Sequence, residues 1–332
     1  MAARRRLSLD QYALGVRAAD RAVLAQAVTL VESRNPDDAA LAQALLARLL
    51  PATGGARRIG VTGVPGVGKS TFIDELGMRL VARGLKVAVL AIDPTSQLTG
   101  GSILGDKTRM ARLSVEPAAF IRPSPSGLTP GGVARRTRET MLLCEAAGFD
   151  VVIVETVGVG QGETAVADMV DLFLVLALPG SGDELQGIKK GVFELADVIA
   201  VNKADGDGAT RAKLALSELR SALRYLPRKR PGWSTRALAI SGMTGAGLDE
   251  LWEVIEEHRA TLAASGELAA LRADQQRAWM WSLIRERLEG AFRADPAVAA
   301  RLPALEADVH DGKVTAAAAA DELLALFGHG RA

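Results

Sequence analysis

The run Gly63-Val64-Pro65-Gly66-Val67-Gly68-Lys69-Ser70 has the spacing G-x-x-x-x-G-K-[ST], with Thr71 directly behind it. Three glycines, a lysine and a hydroxyl in that order suit one chemistry, the holding of a polyphosphate. Small residues let successive backbone N–H groups converge on phosphate oxygens, Lys69 brings a charge to the β- and γ-phosphates, and the Ser70 hydroxyl can ligate Mg²⁺. A glycine-rich turn of no chemical meaning is the plain alternative. Against it stand Arg58-Ile59-Gly60-Val61-Thr62, a strand-like run in front, and Thr71-Phe72-Ile73-Asp74-Glu75-Leu76, a helix-like run behind.

Carboxylates at strand ends form a second set of candidates. Lys86-Val87-Ala88-Val89-Leu90-Ala91-Ile92 reads as a buried strand that delivers Asp93 to the carboxyl edge of a sheet, beside the phosphates. Asp93 there could reach Mg²⁺ through water or position a water, or serve only as a cap. The glycine-rich connection from Asp93 to Met110 carries Asp106, Lys107 and Arg109, which could meet metal or phosphate; a solvated loop would also account for them. Asp150-Val151-Val152-Ile153-Val154 ends at Glu155-Thr156-Val157-Gly158. An acid followed three residues later by glycine is similar to the Asp-x-x-Gly switch of GTPases, whose glycine N–H senses a γ-phosphate. Glutamate in the acid position leaves open whether Glu155 touches metal, water or only a neighbouring loop. Gln161, just beyond, is a candidate for orienting an attacking water.

Asn202-Lys203-Ala204-Asp205 follows the strand-like Val198-Ile199-Ala200-Val201. Guanine presents N1–H and N2–H₂ as adjacent donors that an aspartate accepts as a charge-assisted pair, an edge adenine lacks. Asp205 is the expected discriminator, with the Lys203 stem over the base and Asn202 tying loops together. Ala237-Leu238-Ala239-Ile240 then delivers Ser241-Gly242, whose backbone N–H groups are candidates for the base O6. The segment Gly180–Gly191, after the strand-like Leu172–Leu178, carries Asp183, Glu184, Lys189 and Lys190. At the same sheet edge it would suit a partner-coupling loop; a helix start with acids at its amino end is the simpler account.

These residues need a scaffold, and the pattern from Ile59 onward is alternating strands and helices, the signature of a mainly parallel, doubly wound α/β sheet. Ahead of it, Leu24, Ala27, Val28 and Val31, then Leu41, Leu45, Leu46 and Leu49, recur at helical spacing up to the break Pro51-Ala52-Thr53-Gly54-Gly55. Behind it, Leu248, Leu251, Trp252, Ile255, Trp281, Ile284, Leu288, Phe292, Leu323, Leu324 and Phe327 predict helices punctuated by Pro296 and Pro303. The expected organisation is an N-terminal helical extension over 1–54, a nucleotide domain over 55–260 and a C-terminal helical arm over 261–332. The arm's apolar faces call for cover, either by the nucleotide domain or by a second copy of the chain.

Composition narrows the partners. The 332 residues carry a net charge of +1, with 48% hydrophobic and 24% charged residues, ordinary for a globular protein and not for a generally basic nucleic-acid binder. The cluster Arg228-Lys229-Arg230-Pro231-Gly232-Trp233 reads as a solvated loop rather than a nucleic-acid patch. One cysteine, Cys144, excludes an intrachain disulfide and the four-ligand Cys/His patterns of structural zinc. Arginines near Met1 have no apolar stretch behind them, and no run of eighteen apolar residues occurs. Neither secretion nor membrane insertion is expected, and a cytoplasmic location is; a short organelle-targeting segment is the alternative.

Taken together, the phosphate loop, Thr99-Gly100-Gly101-Ser102-Ile103-Leu104-Gly105-Asp106-Lys107-Thr108-Arg109-Met110, Glu155-Thr156-Val157-Gly158-Val159-Gly160-Gln161 and Asn202-Lys203-Ala204-Asp205 resemble the MeaB/ArgK family of methylmalonyl-CoA mutase-associated GTPases, from the N-terminal helices through the arm. The resemblance implies a P-loop GTPase fold with a dimerisation arm, GTP and GDP as ligands, Mg²⁺ as cofactor and homodimerisation. It also implies a chaperone role toward the adenosylcobalamin-dependent mutase, gating cofactor loading and protecting the enzyme from inactivation. Rival expectations are a GTPase that delivers metal, a kinase linked to amino-acid transport, and a nucleotide-dependent scaffold. Cys144, His258, His310 and His329, scattered singly, offer little to a metal-delivering role.

Overall fold

The computed structural model describes residues 6–33, 35–92, 110–124, 130–156, 162–179, 190–225, 229–230 and 232–329. Two compact units divide the chain, residues 1–272 and 273–332.

The first unit opens with α1 (Leu9–Arg17), α2 (Arg21–Glu32) and α3 (Pro36–Leu49), which pack on one another and on α5 (Pro130–Ala146). Each of the three starts where a side chain accepts from the first turn: Ser8 in a reciprocal capping box with Gln11, Asp20 from Ala22 and Val23, and Asn35 from Asp37. The helical periodicity picks the inward faces correctly, since Leu24, Ala27, Val28, Val31, Leu45, Leu46 and Leu49 are buried and Leu41 is half-buried.

Seven strands follow: β1 (Arg57–Gly63), β2 (Val87–Ile92), β3 (Ala119–Ser124), β4 (Val151–Thr156), β5 (Leu172–Ala177), β6 (Val198–Val201) and β7 (Arg236–Ala239). They form one sheet in the order β3-β2-β4-β1-β5-β6-β7, and every neighbouring pair is parallel. With helices on its faces this is the expected doubly wound α/β fold. Strands β4 and β5 are buried at every residue, and the uninterrupted runs Val151–Val154 and Leu172–Leu176 are what burial on both faces requires. Chain order reverses around β1, with β4 on one side and β5 on the other, so the ends of these three strands border the crevice where such sheets bind ligands. The edge strand β3 has no counterpart in the sequence reading. Its Ala119-Phe120-Ile121 core is too short between Pro117 and Pro123 to show a period.

The helices that serve the sheet are α4 (Lys69–Ala82), α5, α6 (Gly162–Ala167), α7 (Lys190–Leu195), α8 (Ala209–Leu223) and α9 (Leu248–Ala264). Phe72, Ile73, Leu76 and Leu80 of α4 and Leu248, Leu251, Trp252 and Ile255 of α9 enter one core with the strands.

The amino ends of the strands are pinned by buried ion pairs. Arg58 makes a two-bond pair with Glu145 at 2.8 Å each. Asp171, just ahead of β5, accepts the Arg58 backbone N–H at 3.0 Å and two bonds from Arg272 at 2.8 and 2.7 Å. The cluster around Trp233 also proves structural. Trp233 is buried and its Nε1–H donates to the Asp197 carbonyl at 2.9 Å, while Lys229 Nζ donates to the Leu195 carbonyl at 2.6 Å. These residues close the start of β6 and are not a freely solvated loop.

Helix α10 (Glu267–Ala294) carries the chain from the first unit into the second, where α11 (Pro296–His310) and α12 (Ala316–His329) follow. The second unit has its own small core of Val298, Leu305, Ala319 and Leu323, with Phe292 and Phe327 edge to face at 5.4 Å. Pro296 opens α11 behind the cap of Asp295, as a proline at a first helical position should, but Pro303 lies inside α11 without ending it. Trp281, Leu288 and Leu324 are exposed. Among the described residues, no helix is long and apolar enough to cross a membrane.

Candidate functional site

The phosphate loop runs from the carboxyl end of β1 into α4. Gly63, at φ +155°, has no room for a side chain, because a Cβ there would lie 2.6 Å from the Leu176 carbonyl of β5. Gly68 takes φ +93° and caps α4 with no side-chain bond, so the first N–H groups of that helix, which carry the positive end of its dipole, face the loop uncapped. Lys69 Nζ donates to the Gly63 carbonyl at 2.7 Å and to that of Val64 at 3.4 Å. Burial pushes its pKa down, and the carboxylates of Glu155 and Glu163 oppose that shift. An ammonium held among carbonyls of its own loop is placed to exchange those neutral acceptors for phosphate oxygens.

Glu155 and Ser70 are brought together. Glu155 lies opposite Val61 of β1 and Ala91 of β2 at the end of β4 and is buried. The Ser70 hydroxyl donates to Glu155 Oε1 at 3.3 Å. One residue on, Thr156 Oγ1 donates to Thr62 Oγ1 at 2.7 Å, which fastens the end of β4 to the end of β1. Glu163, in the first turn of α6, is a buried carboxylate that sequence reasoning missed; its one legible signal is an acid in a first helical turn just behind the switch-like segment.

The second half of the site is a cavity of about 510 Å³ bordered by Gly68 and Thr71 from the phosphate-loop side. Asn202, Lys203 and Asp205 after β6 and Gly242 after β7 complete the part expected from sequence. Leu178, Pro179, Gly208, Arg211 and Met243 line it too and were not expected. Only position could have flagged them, since Leu178 and Pro179 follow β5 directly and Gly208 and Arg211 begin α8. Lys203 adopts φ +59°, and its carbonyl lies where a Cβ on Gly208 would approach to 2.3 Å, so glycine is required at 208.

Two residues of this motif reach back to the phosphate loop. The buried Asn202 donates from Nδ2 to the Val67 carbonyl at 2.8 Å and accepts the Gly242 N–H on Oδ1 at 2.8 Å. Lys203 Nζ donates to the Gly66 carbonyl at 2.9 Å. The expected tying role of Asn202 therefore has explicit geometry. The backbone N–H groups read as base contacts are already engaged, that of Gly242 by Asn202 and that of Ser241 by the Ala246 carbonyl at 2.9 Å. The Ser241 hydroxyl accepts from the N–H groups of Met243 and Thr244 at 3.3 and 3.0 Å and so shapes the turn. Asp93, Asp106, Gln161, Asp183, Glu184 and Lys189 lie outside the described residues; Lys190 starts α7.

A phosphate loop on β1, a hydroxyl–carboxylate pair behind it and an aspartate-bordered base cavity locked to that loop define a P-loop GTPase, and hydrolysis of GTP is the chemistry such a site performs. A family model described as "Methylmalonyl Co-A mutase-associated GTPase MeaB" matches residues 24–297, and the chain belongs to the MeaB family. Among its relatives, a putative GTPase of Caulobacter vibrioides is 60% identical over 97% of this chain and 98% of that protein. The mouse mitochondrial methylmalonic aciduria type A homolog is 44% identical over 96% of this chain and 79% of its own length. A crystal structure described as a LAO/AO transport system kinase superposes with a TM-score of 0.78 at 40% identity, covering 98% of this chain and 100% of that one.

Proposed function

We propose that this GTPase is a chaperone of adenosylcobalamin-dependent methylmalonyl-CoA mutase, using GTP hydrolysis to gate cofactor loading and to protect the mutase from inactivation. The observation that carries the reading is the family match over residues 24–297, which spans the described nucleotide site from Gly63 to Gly242. The name of the mouse relative supports it.

In this reading the N–H groups at the start of α4 and the Lys69 ammonium hold the β- and γ-phosphates, Asp205 accepts the paired guanine donors, and the Lys203 stem covers the base. Ser70 and Glu155 offer a hydroxyl and a carboxylate, the oxygen donors a hard cation takes, so they fit Mg²⁺ and would hold it. Bound there, Mg²⁺ would neutralise charge on the phosphates. Asp93 and Asp106 are further candidate ligands, and Gln161 the candidate for orienting water. The segment 180–191, with Asp183, Glu184, Lys189 and Lys190, carries the nucleotide state to the partner. The arm over 261–332 pairs two copies into a homodimer, which the exposed Trp281 and Leu288 support.

The test is GTP turnover and adenosylcobalamin transfer measured with and without purified mutase. Stimulated turnover together with nucleotide-dependent transfer is expected, and Lys189→Ala should reduce stimulation while leaving basal turnover intact. A mutase that changes neither rate nor cofactor occupancy would remove the chaperone reading. The kinase reading draws on the description of the solved relative. It requires γ-phosphate to appear on a protein acceptor instead of in solution, which the same assay with labelled GTP reads directly.

A further inference from the structure

Among the described residues β7 is the outermost strand on its side of the sheet. Arg236 N–H donates to the Asp197 carbonyl at 3.3 Å and Ile240 N–H to that of Val201 at 2.8 Å, so the even-numbered residues face β6. The N–H and C=O of Ala237 therefore point away from the sheet. Beside this edge lies a second cavity of about 580 Å³, floored by Leu223, Leu238 and Val254 and bordered by Arg220, Arg224 and Arg236.

The three arginines differ in how far they are committed. Arg236 pairs with Glu257 at 2.8 Å and lies over the Trp233 ring at 5.3 Å. Arg220 spends Nε and Nη2 on a neutral acceptor, the Ala237 carbonyl, at 3.3 and 3.1 Å. Arg224, one helical turn further along, is exposed and has no carboxylate within salt-bridge distance among the described residues. Glu250, on the α9 side, is the one acidic lining residue, so the positive charge is concentrated on the α8 side.

We propose that this groove docks an extended acidic segment of a partner protein, laid along the outer edge of β7 with a main-chain carbonyl on the Ala237 N–H and its carboxylates on Arg224 and on Arg220, which exchanges the Ala237 carbonyl for a carboxylate. An edge strand offers main-chain groups for strand addition, and the apolar floor accepts the alternate side chains that point away from the arginines. A small anion would use the guanidinium groups and leave that floor unused. Both walls of the groove also run into the guanine cavity. Helix α8 begins beside Gly208 and Arg211, which line that cavity, and ends at Arg220, Leu223 and Arg224. Strand β7 continues through Ile240, whose carbonyl accepts from Ala204 N–H at 2.9 Å, to Gly242. A segment docked here is thus placed to sense the occupancy of the base site.

The probe is a fluorescein-labelled octapeptide alternating valine and glutamate, titrated into the full-length protein at low salt. Saturable binding is expected, weakening as salt rises, with the Ala237 amide shifting in NMR spectra. Arg224→Glu should weaken binding by about tenfold or more while leaving basal GTP turnover and thermal unfolding unchanged, because Arg224 makes no ion pair among the described residues. Arg220→Glu should act in the same direction, and a valine–lysine peptide should not bind. No binding at about 1 mM, a weak affinity by any standard, would overturn the proposal. So would binding indifferent to both substitutions. With the phosphate loop filled by GDP, binding of inorganic pyrophosphate that Arg224→Glu weakens and the acidic peptide fails to displace would instead identify a small-anion site and overturn the proposal.

Discussion

Asn202→Ala separates a site that is pre-assembled from one that nucleotide must assemble. The substitution removes the donor to the Val67 carbonyl and the acceptor for Gly242 N–H, both at 2.8 Å, from a residue only 2% exposed. Each buried polar group left unpaired costs about 1–3 kcal/mol. Gly242 lines the base cavity, where water can enter, so the lower end applies to its N–H, and with about 1–2 kcal/mol for the buried Val67 carbonyl the sum is about 2–3 kcal/mol. In a unit of this size about 2 °C of Tm accompanies each kcal/mol, which gives a fall of about 4–6 °C. Nucleotide must then order the phosphate loop against the guanine segment as it binds. About 1.4 kcal/mol of lost pre-organisation, a tenfold weaker affinity, is expected. Titration with a fluorescent GDP analogue and a thermal melt of the same preparation read both quantities. Affinity within about threefold of the parent, with Tm unchanged, would show that the Asn202 tie does not hold the two halves together.

Lys69→Ala removes the central cation of the phosphate loop, and GTP turnover should fall by about 10²–10³ with the fold intact, as read by phosphate release. Asp205→Asn should weaken GTP and favour xanthosine triphosphate, because an amide donates to the C2 oxygen that replaces the guanine amine; competition between the two nucleotides measures it. The pKa of His258 is held below its ordinary 6.5 by burial, with the Asp197 carboxylate opposing and Arg230 reinforcing the shift. A depressed pKa means the native state disfavours the proton, so this contribution to stability is complete above about pH 6.5 and is lost as pH falls through 6.5 toward the native value. His258→Gln should flatten that acid limb of the Tm–pH curve, and a limb of unchanged slope would assign the acid sensitivity elsewhere.

How legible each part was in the sequence depends on where its signal resides. The phosphate loop and Asn202-Lys203-Ala204-Asp205 carry their chemistry in residue type and spacing, and apolar runs give β4, β5 and β6 because strands buried on both faces need nothing else. β3 was not legible, since an edge strand of six residues with Pro123 inside it and Pro117 just ahead shows neither a run nor an alternation. Leu178, Pro179, Arg211 and Met243 reach the base cavity only through the order in which strands are laid side by side, which no local pattern records. Lys229 and Trp233 depart from the solvated-loop reading for a related reason. Their ties to Asp197, more than thirty residues earlier, arise only from the pairing of β6 with β7.

The same topology limits how the nucleotide state can be transmitted. β5 is fixed at its start by Asp171, which holds both the Arg58 N–H of β1 and the Arg272 guanidinium, and its end delivers Leu178 and Pro179 to the base cavity. β1 is held in turn by the two-bond Arg58–Glu145 pair, whose separation would leave charges stranded in the interior. Strands anchored at one end and packed on both faces cannot slide in register without breaking those bonds. A change at the γ-phosphate has therefore to leave the site through the segments attached to the carboxyl ends of the strands and through helices that begin there. The segment 180–191 proposed above as partner-coupling is attached after β5, and α8 (Ala209–Leu223) runs from the base cavity to the groove beside β7. These are the two places where the proposed partner contacts fall.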